Sequence, residues 1–222
     1  MAALEAVKHV KDGYVIGLGS GSTAAYAIAE IGRKIREEEI EVLGIPTSSQ
    51  AFFLAIKNKI PLTTLTEHPV IDLTIDGADQ VDSKLNLIKG MGGALTREKI
   101  VASCSKKVII IIDETKLAEN LGEKQPIPIE VLPFALEPVS IKIRQLGGFP
   151  KLREGKGKIG PVVTDNGNYI IDAAFARIED PERLNGQIKL IPGVIETGLF
   201  VNMTDLVYIG RKNGTVTKIK RE

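Results

Sequence analysis

Residues 14–31 read YVIGLGSGSTAAYAIAEI, and the order within them decides the fold class. Tyr14 to Leu18 is a short apolar run, which predicts a strand. Gly19-Ser20-Gly21-Ser22-Thr23 follows without a spacer. Ala24 to Ile31 then mixes small and apolar residues in a helical period that Gly32 is expected to close. Strand, glycine loop and helix start in this order form the first half of a βαβ unit, which argues for an α/β protein built on a parallel sheet. The loop also suits an anion. Amide N–H groups at a helix N-terminus lack partners and carry roughly half a positive charge, and Ser20, Ser22 and Thr23 add hydroxyl donors for a phosphate.

The same loop fits the dinucleotide fingerprint at Gly19, Gly21 and Ala24. That fold needs an acidic residue about 20 residues on, at the end of the second strand, for the ribose hydroxyls. Here the expected second strand, Ile40 to Ile45, ends in Pro46-Thr47-Ser48-Ser49, and the acids Glu37 to Glu39 and Glu41 come before it or at its start. The pattern therefore favours a phosphomonoester over a dinucleotide. The bland alternative is a loop in which Ser22 or Thr23 only caps the helix.

Working outward, residues 2–11 place Leu4, Val7 and Val10 on one face of a short helix ended by Asp12-Gly13. Downstream, 49–57 reads as a helix, Asn58-Lys59 as a turn, and Ile60 to Leu65 as a third strand followed by a loop at Thr66 to Pro69. His68 in that loop belongs to no cluster. Ile71 to Ile75 is another apolar strand, and it runs into Asp76-Gly77-Ala78-Asp79. A second apolar patch, Leu85 to Ile88, leads to Lys89-Gly90-Met91-Gly92-Gly93, and a helix from Leu95 to about Ser105 carries Glu98 in its first turn. Residues just past the carboxyl end of a parallel strand converge on the ligand-bearing edge of the sheet. Carboxylates, an ammonium group, flexible backbone and a candidate base thus arrive together. Lys107 to Asp113 is a further buried parallel strand, and it delivers Asp113, Glu114 and Lys116 to the same edge.

From Ile127 the style changes to strand, helix (Pro138 to Leu146), strand (Lys151 to Arg153), strand (Tyr169 to Ala173), helix (Pro181 to Leu190) and strand (Gly198 to Val201). That βαββαβ order predicts a ferredoxin-like α+β subdomain over 127–201, inserted into a Rossmann-like parallel-sheet domain of 1–126 plus 202–222. The run Asp205 to Ile209 is expected to rejoin the first sheet, and Asn213-Gly214 marks a hairpin before Thr215 to Ile219.

The composition narrows the function. The 222 residues carry a net charge of +1 with no basic block, which argues against nucleic acid. One cysteine, Cys104, and two histidines, His9 and His68, offer no metal-ligand spacing. No apolar run approaches the ~20 residues of a membrane span, and the opening MAALEAVKHVKDG has no signal-peptide core, so a cytoplasmic location is expected.

Taken together, GSGSTA at 19–24, DGAD at 76–79, KGMGGALTREK at 89–99, DETK at 113–116, VTDNGN at 163–168 and IPGVIETGLF at 191–200 resemble the type A ribose-5-phosphate isomerase family over nearly the whole chain. The resemblance implies a cofactor-free aldose–ketose isomerase of the pentose phosphate pathway, acting on a pentose 5-phosphate and assembled as a homodimer or homotetramer. It makes Ser20, Gly21, Ser22 and Thr23 the phosphate loop. Asp76, Gly77, Ala78, Asp79, Lys89, Gly90, Met91 and Gly92 become the sugar-binding walls, completed by Lys116, and Glu98 becomes the base. Three positions depart from the family pattern: Ser20 replaces a usual threonine, Gln80 a usual glutamate and Met91 a common glycine. An N-terminal lysine that helps hold the phosphate in some members has no counterpart.

The chemistry of such a reaction suits these residues. A proton must move between C1 and C2 through an enediol, which takes one carboxylate base and donors for the developing oxyanion. Glu98 fits the base, Lys89 and the amides of Gly90 to Gly93 fit the oxyanion, and Asp76 or Asp79 could assist ring opening, with Asp76 favoured. The competing readings are a sugar-phosphate sensor, which would need a DNA-binding module elsewhere, and a nucleotide-dependent oxidoreductase. The subdomain, by contrast, shows no catalytic residues of its own, and its apolar helices suit subunit contacts.

Overall fold

Tyr14–Leu18 does form a strand, β1, and it lies inside a six-stranded sheet. The computed structural model describes residues 1–157 and 159–221 and divides into two units. The first comprises Met1–Ala78, Arg97–Lys116 and the chain from Met203 on; the second comprises Asp79–Thr96 and Leu117–Asn202.

In the first unit the helices are α1 (Ala2–Val7), α2 (Ser22–Glu38), α3 (Ser49–Lys57) and the greater part of α4 (Leu95–Ser103). With β1 run β2 (Val42–Pro46) and β3 (Leu73–Asp76), and later in the chain β6 (Val108–Asp113), β12 (Leu206–Gly210) and β13 (Val216–Lys220). The sheet order is β13-β12-β6-β3-β1-β2, with every pairing parallel except the β12–β13 hairpin at one edge. Buried on both faces, β6 reads VIIIID because neither face meets water. Ile16 and Leu18 of β1 pack with Ala27, Ile28 and Ile31 of α2 and Ala51 and Ala55 of α3, while Val15 turns to the other face with Ile45, Ile71 and Val101 of α4. The strand order reverses between β1 and β3. In open α/β sheets that reversal opens a crevice at the strands' carboxyl ends, where ligands bind.

The second unit holds a four-stranded antiparallel sheet of β7 (Ile127–Val131), β8 (Gly148–Leu152), β9 (Tyr169–Phe175) and β10 (Val194–Thr197), in the order β10-β7-β9-β8. Helices α5 (Leu136–Gln145) and α6 (Pro181–Lys189) complete the ferredoxin-like βαββαβ order. Val139, Ile143 and Ile188 of these helices close a core with Ile127, Ile129, Val131, Ile171 and Ala173. A small antiparallel sheet of β4 (Gln80–Val81), β5 (Leu87–Ile88) and β11 (Leu199–Phe200) belongs to the same unit.

The structure corrects four local expectations. Leu4 is exposed, and the buried face of α1 is Ala2, Ala3, Ala6 and Val7, because small residues let the helix lie close to its neighbours. Gly32 does not end α2: the helix continues to Glu38 and stops at Glu39 in a left-handed conformation. A Cβ at Gly32 would stand 2.5 Å from the Asn58 carbonyl oxygen, so this glycine serves close packing rather than termination. The expected strand at 60–65 is reduced to a single bridge between Leu62 and Gly44; Pro61 has no N–H to give a ladder. Finally, the fourth strand of the ferredoxin-like sheet is Val194–Thr197, not 198–201. Leu199 and Phe200 instead pair with Ile88 and Leu87.

Candidate active site

In the first unit the glycine loop is built around one carboxylate. Gly19 follows β1 with no room for a side chain, because a Cβ there would collide with the Asp76 carboxyl group and Cα. Asp76, the last residue of β3, takes the amides of Ser20 (3.0 Å) and Gly77 (2.7 Å) on Oδ1. The two turns that leave neighbouring strands β1 and β3 are thereby tied together. Gly21 has φ +97, a backbone state that glycine adopts without steric cost, and it is the residue just before α2. Ser22 and Thr23 open that helix, where amides point out of its N-terminus.

A second helix start reaches the same loop. Ser20 Oγ lies 2.7 Å from Thr47 Oγ1 and donates to Ser48 Oγ (2.6 Å), and the amide of Gly21 donates to Gln50 Oε1 (2.8 Å). Ser48 is the N-cap of α3, accepting from the amide of Ala51 (3.1 Å). The positive ends of α2 and α3 therefore frame one hydroxyl-rich loop, and the end of β2 offers it hydroxyls rather than the carboxylate that a dinucleotide site requires. Thr47, Ser48 and Gln50 were not among the expected site residues. The capping pattern Thr47-Ser48-Ser49 was the legible signal for them.

Glu98 stands in the first turn of α4 and is 4% exposed, and Asp76 is 2% exposed. Lys116 ends a 3₁₀ turn, Glu114–Lys116, directly after β6, the strand beside β3. Burial raises the pKa of Asp113, but the Thr115 hydroxyl and amide and the charge of Lys116 outweigh it and hold that carboxyl below its ordinary value.

Ala78 ends the first segment of the first unit, and the remaining expected residues, Asp79, Lys89, Gly90, Met91 and Gly92, belong to the second. Lys89 is 3% exposed, with Nζ 5.5 Å from the centre of the Phe200 ring, and its amide donates to the Gly198 carbonyl (2.9 Å). Asp79 accepts the amide of Met91 on Oδ2 (2.9 Å), so the two family motifs DGAD and KGMGG meet here. Gly90 has φ +106, and a Cβ on it would press on Leu95 at 2.9 Å. Met91 is 38% exposed, its sulfur accepts from a terminal nitrogen of Arg153 (3.8 Å), and its amide faces Asp79. Arg153 donates to the carbonyls of Gly90 (2.8 Å) and Met91 (3.0 Å).

The VTDNGN stretch is more than a turn. Glu130 of β7, fully buried, accepts from Thr164 Oγ1 (2.8 Å), Asn166 Nδ2 (3.0 Å) and Asn168 Nδ2 (2.8 Å), and its other oxygen accepts from Thr96 Oγ1 (2.5 Å) in the first turn of α4. Neither Glu130 nor Arg153 is signalled locally, since the partners of Glu130 lie 34 or more residues away and those of Arg153 lie 19 to 63 residues away.

The family model for ribose 5-phosphate isomerase A (phosphoriboisomerase A) matches residues 43–214. The chain belongs to the ribose 5-phosphate isomerase A family. A curated ribose-5-phosphate isomerase A of Methanosarcina acetivorans is 51% identical over 221 residues, covering 100% of this chain and 93% of the relative. The solved ribose 5-phosphate isomerase A of Methanocaldococcus jannaschii superposes with a TM-score of 0.94 at 50% identity, covering 99% of this chain and 96% of that one. A D-ribose-5-phosphate isomerase solved in complex with phospho-erythronic acid superposes with a TM-score of 0.96 at 47% identity, again over 99% and 96% of the two chains.

Proposed function

We propose that this chain interconverts D-ribose 5-phosphate and D-ribulose 5-phosphate through an enediol, with Glu98 carrying the proton between C1 and C2. The phosphate is assigned to the amides and hydroxyls of Ser20, Gly21, Ser22 and Thr23 at the start of α2. Lys89, with the amides of Gly90 to Gly92, stabilises the negative charge that develops on the enediolate oxygen. Asp79 binds sugar hydroxyls, and Asp76 assists opening of the cyclic sugar. Lys116 supplies a further positive charge. Gly77 and Ala78 keep the DGAD turn small.

One observation carries the reading: Asp76, Lys89 and Glu98, three ionisable side chains, are each less than 5% exposed. Burial of charge is costly, and ionisable groups held in that state concentrate where chemistry needs them. The solved relative bound to phospho-erythronic acid, a phosphorylated sugar acid, supports a pentose phosphate as the substrate class. We also assign the enzyme to the pentose phosphate pathway and the cytoplasm, as a homodimer or homotetramer. No helix among the described residues is long and apolar enough to cross a membrane.

The test is direct. Purified protein is mixed with ribose 5-phosphate, without added metal or nucleotide, and ketose formation is followed. Turnover is expected, and Glu98→Gln is expected to lower kcat by about 10²–10⁴-fold while KM changes little. Wild-type turnover in Glu98→Gln would remove Glu98 from the mechanism.

A further inference from the structure

We propose that Arg153, held by Asp172, is a positioning residue that aims the amide of Gly92 at the substrate and that of Met91 at Asp79. The inference rests on the reading of Lys89–Gly92 as a substrate-contacting loop, and it concerns a residue more than 60 positions away in sequence. Arg153 directly follows β8 and Asp172 lies on the neighbouring strand β9, where Lys151 is paired opposite Asp172. Nε of Arg153 donates to Asp172 Oδ2 (2.8 Å), and one terminal nitrogen donates to Oδ1, so the carboxylate grips the guanidinium as a fork. The pair is largely enclosed, with the side chains 11% and 19% exposed.

The other terminal nitrogen faces the loop. It donates to the Gly90 carbonyl at 2.8 Å and to the Met91 carbonyl at 3.0 Å. A trans peptide is planar, with its C=O and N–H pointing in opposite directions. Fixing the carbonyls of Gly90 and Met91 on the arginine side therefore turns the amides of Met91 and Gly92 to the other side. The first of these amides shows the direction: it donates to Asp79 Oδ2 at 2.9 Å, a carboxylate assigned to the sugar. The amide of Gly93 closes the turn on the Gly90 carbonyl (3.0 Å). Gly92 has nothing within 4 Å of where a Cβ would sit, so ligand can approach its backbone.

The choice of arginine follows. A guanidinium is always charged and presents donors in a rigid plane, so one side chain can hold a carboxylate with one edge and two carbonyls with another. A lysine can keep the ion pair with Asp172 but is a single point of charge. Positive charge on the two carbonyl oxygens also polarises the peptides and strengthens their N–H groups as donors.

Steady-state kinetics with ribose 5-phosphate and thermal melts are measured on the wild-type chain, Arg153→Lys and Arg153→Met. Removing one preorganised oxyanion donor typically costs about 10²–10³-fold in kcat, so misdirected donors in a folded protein are expected to lower kcat by about tenfold or more with KM within about threefold. The loss is expected in Arg153→Lys as well, which separates orientation from charge. A folded Arg153→Lys with kcat near wild type overturns the proposal, as does a rise in KM alone, or a loss confined to temperatures at which the variant melts. If Arg153→Met does not fold, Arg153→Lys decides. A wild-type chain without turnover would instead overturn the isomerase reading itself.

Discussion

Single side chains in this protein are held by partners distant in sequence, and His9 is a case away from the site. Its Nε2 lies 2.9 Å from the Tyr208 hydroxyl, and Lys107 Nζ lies 3.2 Å from Nδ1. Burial lowers the His9 pKa, and the positive charges of Lys107 and Lys218 add to the effect against a smaller opposing pull from Glu5. The folded protein therefore holds the neutral ring more strongly than the unfolded chain does. The stability this contributes is complete above the unfolded value of about 6.5 and is lost as pH falls through the lower folded value. The melting temperature is expected to fall more in the wild type than in His9→Gln between about pH 7.5 and about pH 5.5. Parallel curves for the two proteins would show that His9 contributes nothing to this dependence. At the site, Asp76 carries a similar lesson. The proposal makes it a sugar ligand or ring-opening group; what the structure shows is that the same carboxylate ties the amides of Ser20 and Gly77.

At the scale of elements, α2 shows how propensity and packing can oppose each other. Replacing a mid-helix glycine with alanine ordinarily stabilises a helix by up to about 1 kcal/mol. At Gly32 the new methyl would meet Asn58 backbone oxygen at 2.5 Å and its Cβ at 2.7 Å. Overpacking of that kind costs about 1–3 kcal/mol, so Gly32→Ala is expected to lower the melting temperature despite its better propensity. A melt at or above the wild-type temperature would show that α2 and the turn after α3 can separate at little cost. The start of α4 illustrates the opposite case, in which distant groups support one turn. The Thr96 hydroxyl is bound by Glu130, and Glu130 in turn collects the Thr164, Asn166 and Asn168 side chains. A fully buried carboxylate is tolerable there because four donors satisfy it. Thr96 lies two residues ahead of Glu98, the residue proposed as the base.

For the molecule as a whole, the sequence predicted more than its topology alone. The second unit exposes Leu132, Phe134, Ile141, Phe149 and Leu190, an apolar supply that supports the proposed association of subunits. Sedimentation is expected to give two or four times the chain mass of 24.0 kDa. A mass of a single chain at assay concentration would remove the oligomer from the proposal. The sequence by itself determined the α/β class, the parallel strands β1, β3, β6 and β12, the βαββαβ order of the second unit and the local motifs, because each depends on periodicity or on a turn within a few residues. It also put forward Ser20 to Thr23, Asp76, Asp79, Lys89 and Glu98 as the site residues of the proposal, since strand ends and helix starts are local features. Tertiary structure alone decided that Gly32 is a packing residue and that β10, rather than 198–201, completes the four-stranded sheet. It also brought Thr47 and Ser48 to Ser20 in the glycine loop and Arg153 to the carbonyls of Gly90 and Met91. In each case the deciding contact joins groups far apart in the chain, and no local pattern of residue types encodes which distant partner a side chain or strand edge will meet.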